Sequence, residues 1–99
     1  MASYNNITGS LTQQLLATGN NTRISSIHLT NVHASDSVLV DLYIEKKLTG
    51  KFYIIKNKPI GFADYFVLNS GLGFDNTNSG FALYIKLNAS DSAVDVILK

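Results

Sequence analysis

Few side chains in this sequence are able to do chemistry, and their spacing decides what they could do. His28 and His33 are the two histidines, and neither stands at motif distance from a carboxylate or a serine. His28 alternates with apolar positions and His33 opens a turn, so both read as structural. Asp36 and Asp91 occupy two copies of one short segment, Ala-Ser-Asp-Ser at 34–37 and again at 89–92. Carboxylates brought together can share general acid and base work, but only in a cleft that separates their pKa values. The flanking residues promise no such cleft. The run Asp75-Asn76-Thr77-Asn78-Ser79-Gly80 has the outline of half a calcium loop, yet Thr77 and Ser79 stand at ligand positions and no glutamate follows to close it. Gly71-Leu72-Gly73 lacks the lysine and helix start of a phosphate loop, and no serine sits in a Gly-x-Ser-x-Gly elbow. Three Asn-x-Ser/Thr matches, at Asn6, Asn20 and Asn88, are expected by chance in a chain with ten asparagines and ten serines. The expectation is therefore a protein without catalytic residues, metal or cofactor. One binding role stays open: Asp36, Asp91, Asp75, Asn76 and Asn78 suit sugar hydroxyls, as in a host-attachment module, although the same residue types also make turns.

Two surfaces are better candidates than any of these loops. Lys46, Lys47, Lys51, Lys56 and Lys58 put five of the eight basic residues into thirteen positions with no acid, leaving three basic against seven acidic elsewhere. Lysines on a strand edge discourage unwanted pairing. The same cluster could instead attract the acidic remainder of a neighbouring copy or a larger shell. Nucleic acid is disfavoured, because phosphate recognition recruits arginine and Arg23 is the single one. The aromatics sit at core-like spacing and offer no stacking platform. If their strands share one sheet, Tyr43, Tyr84 and Ile97 project from its outer face among Asp41, Lys86 and Asp95. Large apolar side chains inside a polar rim have the anatomy of an interface; ordinary cross-strand pairing is the alternative.

Strand-period alternation must position all of these groups. Val38, Val40, Leu42 and Ile44 alternate with Asp41, Tyr43 and Glu45; Phe81, Leu83, Ile85 and Leu87 alternate with Tyr84 and Lys86; Val94, Val96 and Leu98 alternate with Asp95 and Ile97. Ile27 and Leu29 begin a similar pattern. The continuous apolar runs 52–56 and 65–68 predict strands covered on both faces, with Pro59 between them. Ser10 and Gln13 have capping-box spacing, but a helix ending at Gly19 would be too short to stand alone, so a strand over 11–18 is preferred. The two Ala-Ser-Asp-Ser segments read as hairpin turns at one end of the fold. The result is an all-β, two-sheet antiparallel sandwich of about seven short strands and immunoglobulin-like size, as a single domain over 1–99, with 1–10 as a flexible arm.

Length and composition point the same way. The chain has 99 residues, 45% of them apolar and 15% charged, and a mean hydropathy of +0.11. A domain this small has little interior, so the excess apolar surface is expected on a sheet face or between subunits, which predicts a homo-oligomer or docking into an assembly. There is no cysteine, which excludes disulfides and thiolate chemistry. No apolar run approaches the roughly 20 residues of a membrane-spanning helix, and the polar start does not read as a signal peptide.

The runs Ile24-Ser25-Ser26-Ile27-His28-Leu29-Thr30-Asn31, Val40-Asp41-Leu42-Tyr43-Ile44, Phe52-Tyr53-Ile54-Ile55-Lys56-Asn57, Pro59-Ile60-Gly61, Leu83-Tyr84-Ile85-Lys86-Leu87-Asn88 and Val94-Asp95-Val96-Ile97-Leu98 resemble a group of small β-sandwich virion proteins of tailed phages, widespread among marine phages and cyanophages. The resemblance spans about residues 11 to 98. Lys58 before Pro59 and the bulky Phe62-Ala63-Asp64-Tyr65-Phe66 depart from the Ile-Pro-x-Gly turn and Leu-rich strand usual there. The resemblance implies a structural protein of the virion, present in many copies in head, neck or tail, with other virion proteins as partners and no catalytic residues.

Overall fold

The computed structural model describes residues 3–18, 22–69, 73–76 and 80–99. They form strands β1 (Ser3–Thr8), β2 (Gln13–Leu16), β3 (Arg23–Ile24), β4 (Ile27–Asn31), β5 (Val38–Lys46), β6 (Gly50–Ile60), β7 (Tyr65–Leu68), β8 (Phe74–Asp75), β9 (Ala82–Leu87) and β10 (Ala93–Leu98). One sheet has the order β1-β10-β4-β7 and the other β2-β9-β5-β6, with β3 and β8 as a small separate ribbon. All pairings are antiparallel. The chain crosses between the two sheets repeatedly, so apart from the β5–β6 hairpin each strand's sheet neighbours are not its neighbours in sequence. That order is the jelly roll, a double Greek key.

Alternation produces the core directly. Ile27 and Leu29 of β4 and Val94, Val96 and Leu98 of β10 face Val38, Val40 and Leu42 of β5 and Leu83, Ile85 and Leu87 of β9, and all are buried. Each such side chain contributes about 1.5–3 kcal/mol by leaving water. The residues between them point outward, which fixes what each face of the molecule presents.

The sandwich agrees with the sequence expectation, and several details differ. Residues 3–8, expected within an arm, are β1: Ile7 packs into the core while the backbone pairs with β10 from Ser3↔Leu98 to Thr8↔Ala93. Gly9 ends the strand at φ +87°, where a side chain would be strained. Within 11–18, Gln13–Leu16 is a strand, as preferred over the helix. The runs at 52–56 and 65–68 are not covered on both faces. β6 and β7 are edge strands, and Phe52, Tyr53 and Tyr65 are 53%, 44% and 62% exposed. Pro59 lies inside β6, where an edge position spares it a ladder hydrogen bond. The Ala-Ser-Asp-Ser segments are not hairpin turns either. One carries the chain from β4 to β5 and the other from β9 to β10, each passing from one sheet to the other. They do lie at the same end of the sandwich.

Candidate functional site

At that end, buried polar side chains hold the crossovers. Asn31, 2% exposed, donates through Nδ2 to the carbonyls of Asp36, Ile60 and Gly61 at 2.9, 3.0 and 3.1 Å, and its Oδ1 accepts from the His33 N–H at 2.8 Å. One amide thereby ties the β4–β5 crossover to the β6–β7 loop. Asn88 has a related role in the second crossover, with Oδ1 accepting from the Leu39 N–H and from the buried Ser92 hydroxyl.

His33 joins the two crossovers. Its Nδ1 accepts from the backbone N–H groups of Ser35 and Asp36, each at 3.0 Å. The ring proton therefore sits on Nε2, which donates to Asp91 Oδ2 at 3.0 Å. This bond holds the Asp91 carboxyl below its ordinary value of 3.8, against a smaller opposing effect of desolvation. The ligand atoms of His33, Asp36 and Asp91 lie within 4.8 Å of one another. Such a trio has the composition of a cation site, but the hydrogen bonding does not suit one. A cation on Nε2 would drive the ring proton to Nδ1, against two backbone donors. What the trio does is latch the crossovers together.

The loop candidates fall elsewhere. Asp75 pairs with Arg23 at 2.9 Å, beside an open depression of about 450 Å³ lined by Arg23, Ile24, Phe74 and Asp75. Asn76, 1% exposed, accepts from the Thr22 N–H at 2.8 Å and donates to the carbonyls of Ala17 and Phe81 at 2.9 and 3.3 Å. Its amide is spent on the protein's own backbone. Asn78 lies outside the described residues.

Tyr43, Tyr84 and Ile97 do not share a face. Tyr43 and Tyr84 stand on the outer face of the second sheet, while Ile97 stands on the outer face of the first, because β10 pairs with β1 and β4 rather than with β9. Tyr43 is also only 5% exposed. It sits between Tyr84 and Tyr53, with ring centroids 5.3 Å away on either side and Lys51 Nζ 4.7 Å above its own ring. Gln14 donates to the Tyr84 hydroxyl at 3.3 Å. Three of the five lysines are engaged on aromatic rings: Lys51 on Tyr43, Lys56 on Tyr53 with Asp41 at 3.6 Å, and Lys58 on Phe66 of the other sheet's edge strand. Lys46 and Lys47 remain exposed at the β5–β6 turn.

The outer face of the first sheet carries a second apolar strip, and sequence reasoning missed most of it. In register across four strands run Tyr4, Ile97, His28 and Val67. Tyr65 stacks on His28 at 5.4 Å between centroids. Tyr4 and Tyr65 are 72% and 62% exposed, and the other three are half-buried. Tyr4 was hidden by its place in the expected arm; the His28 signal was its outward parity against Ile27 and Leu29.

The geometry defines a jelly-roll sandwich whose polar cluster serves its own loops. No family model matches the sequence, and no curated protein matches it either. Among solved structures it is similar to PirA, with a TM-score of 0.58 and 8% identity over 98% of this chain and 91% of that one. It is also similar to the capsid asymmetric unit of cyanophage Pam1, with a TM-score of 0.53 and 14% identity over 98% of this chain and 79% of that one. At such identities the likeness is one of fold.

Proposed function

We propose that this chain is a non-enzymatic structural protein of a phage virion, which joins or decorates the particle through an exposed sheet face. The observation that carries the reading is the Tyr4-Ile97-His28-Val67 row with Tyr65 beside it, an uncovered half-apolar strip on a rigid sheet. Asp95 and Thr30 border it in the next row, giving the polar margin of a protein-binding surface. Repetition over many copies converts weak contacts of this kind into stable attachment. The fold-level likeness to a cyanophage capsid unit and the strand pattern of small phage sandwiches support the same assignment.

The test is co-sedimentation of the purified chain with phage particles from its source culture. The wild type is expected in the particle fraction. Ile97→Lys, which puts a charge at the centre of the strip without touching the core, is expected to remain in the supernatant with an unchanged circular dichroism spectrum. Equal binding of both proteins would remove this face from the account.

A further inference from the structure

Each sheet of a sandwich ends in strands with one unpaired side, and a protein that stays monomeric protects those edges. β6 is protected several times over. Its pairing with β5 is broken by register shifts at Val40/Leu42 and Leu42/Tyr43, it contains Pro59, and it carries Lys51, Lys56 and Lys58. β2 has a register shift between Gln14 and Leu16. β7 lacks charge, proline and register shifts but is only four residues long. β1 has none of these devices. Its six residues, Ser-Tyr-Asn-Asn-Ile-Thr, include no charge and no proline, and all six pair with β10 in unbroken register.

The hydrogen-bond phase of β1 shows which groups face outward. The Gly9 N–H donates to the Ser92 carbonyl at 3.0 Å, in continuation of the β1–β10 register. Antiparallel strands alternate, so Ser3, Asn5 and Ile7 direct their backbone groups to β10 while Tyr4, Asn6 and Thr8 direct theirs away from it. The Thr8 carbonyl is already taken by Gln13 Nε2 at 2.9 Å. The open stretch of the edge is therefore Tyr4 to Asn6. Between them, the Asn5 side-chain Nδ2 is buried without a hydrogen-bond partner.

We infer that β1 is a self-pairing edge, and that its partner is β1 of a second copy of this chain, related by a two-fold axis at Asn5. In that register Tyr4 exchanges backbone hydrogen bonds with Asn6 of the partner subunit, and Asn6 with Tyr4 of the partner subunit. Only open groups are used, and the blocked Thr8 carbonyl is not required. Asn5 then faces Asn5 of the partner subunit as a non-hydrogen-bonded pair, the closer of the two antiparallel spacings. Facing amides are each a donor and an acceptor, so the pair can satisfy the orphan nitrogen on both sides. A two-fold contact places a segment against itself, and a segment without charge has nothing to repel. The product is a continuous sheet running through both copies, which extends the Tyr4-Ile97-His28-Val67 strip across the dimer.

The edge geometry carries this inference independently of the virion reading. The experiment is sedimentation equilibrium up to about 100 µM on the wild type, Asn6→Pro and Asn6→Ala, with cross-linking of single-cysteine variants in the cysteine-free chain. The wild type is expected at twice the 10.8 kDa chain mass. Asn6→Pro deletes an edge-facing N–H and is expected to be monomeric, whereas Asn6→Ala loses the Asp95 side-chain contact, keeps that N–H, and stays dimeric. Under mild oxidation Asn5→Cys is expected to cross-link to itself, and Tyr4→Cys and Asn6→Cys to do so far less, because non-hydrogen-bonded pairs fall within disulfide reach. A monomeric wild type overturns the inference, as does preferential cross-linking at position 4 or 6, which does not require Asn6→Pro to fold. A monomer that still sediments with particles leaves the virion reading standing and removes this one alone.

Discussion

Asn31 is the residue on which the crossover end depends most. Its Nδ2 serves three carbonyls, of the β4–β5 crossover, the end of β6 and the β6–β7 loop, and its Oδ1 serves one N–H, all with little access to water. Asn31→Ala leaves those groups without partners and is expected to cost about 2–3 kcal/mol, read as a lower urea midpoint at unchanged slope. Asp91 is a weaker and pH-dependent contributor. Its carboxyl titrates below 3.8 in the folded protein because His33 donates to it. The bond therefore contributes fully above the unfolded value and is lost as pH falls through the lowered folded value. Below pH 3.8 the melting temperature of the wild type is expected to fall more steeply than that of Asp91→Asn; parallel curves would show that the latch adds nothing. The residue types at this end were legible in the sequence, since both Ala-Ser-Asp-Ser segments stood out. Their purpose was not legible. Whether Asp91 meets His33 depends on the chain crossing between sheets twice, and a four-residue segment does not record which sheet follows it.

At the scale of the elements, strands that face the core on one side and water on the other were readable from alternation alone, as β4, β5, β9 and β10 show. β1 was not, because Ile7 is the one buried side chain among its six and the rest resemble a polar arm. β6 and β7 misled in the opposite direction: their apolar runs looked doubly covered, yet both lie at sheet edges where aromatic and lysine side chains shield one another. The β5–β6 turn carries a further cost. Leu48 is fully exposed and holds φ +67°, a left-handed conformation that disfavours a side chain by about 1–2 kcal/mol. Leu48→Gly relieves that strain while loosening the unfolded chain, and the net expectation is a gain of about 0.5–1 kcal/mol in denaturant unfolding. A loss would mean that the freedom gained by the unfolded chain outweighs the strain relieved.

For the whole molecule, charge is arranged along the sandwich. Asp36, Asp64 and Asp91 lie in the loops at the crossover end, while Lys46 and Lys47 mark the opposite end of β5. The exposed apolar side chains are spread over both outer faces and the loops, with Leu11, Val32, Leu48 and Phe62 among the latter. The sequence reading puts Tyr43, Tyr84 and Ile97 on one face, which the sheet order does not allow, because the face a strand presents depends on its sheet neighbours. In the proposed virion role, the chain would act through copies held at fixed positions on a particle. The most direct measurement is quantitative mass spectrometry of density-purified virions from the source culture. This chain is expected in the particles at many copies each, in constant ratio to the major shell protein; its absence from purified particles while it remains free in the lysate would rule out a virion role.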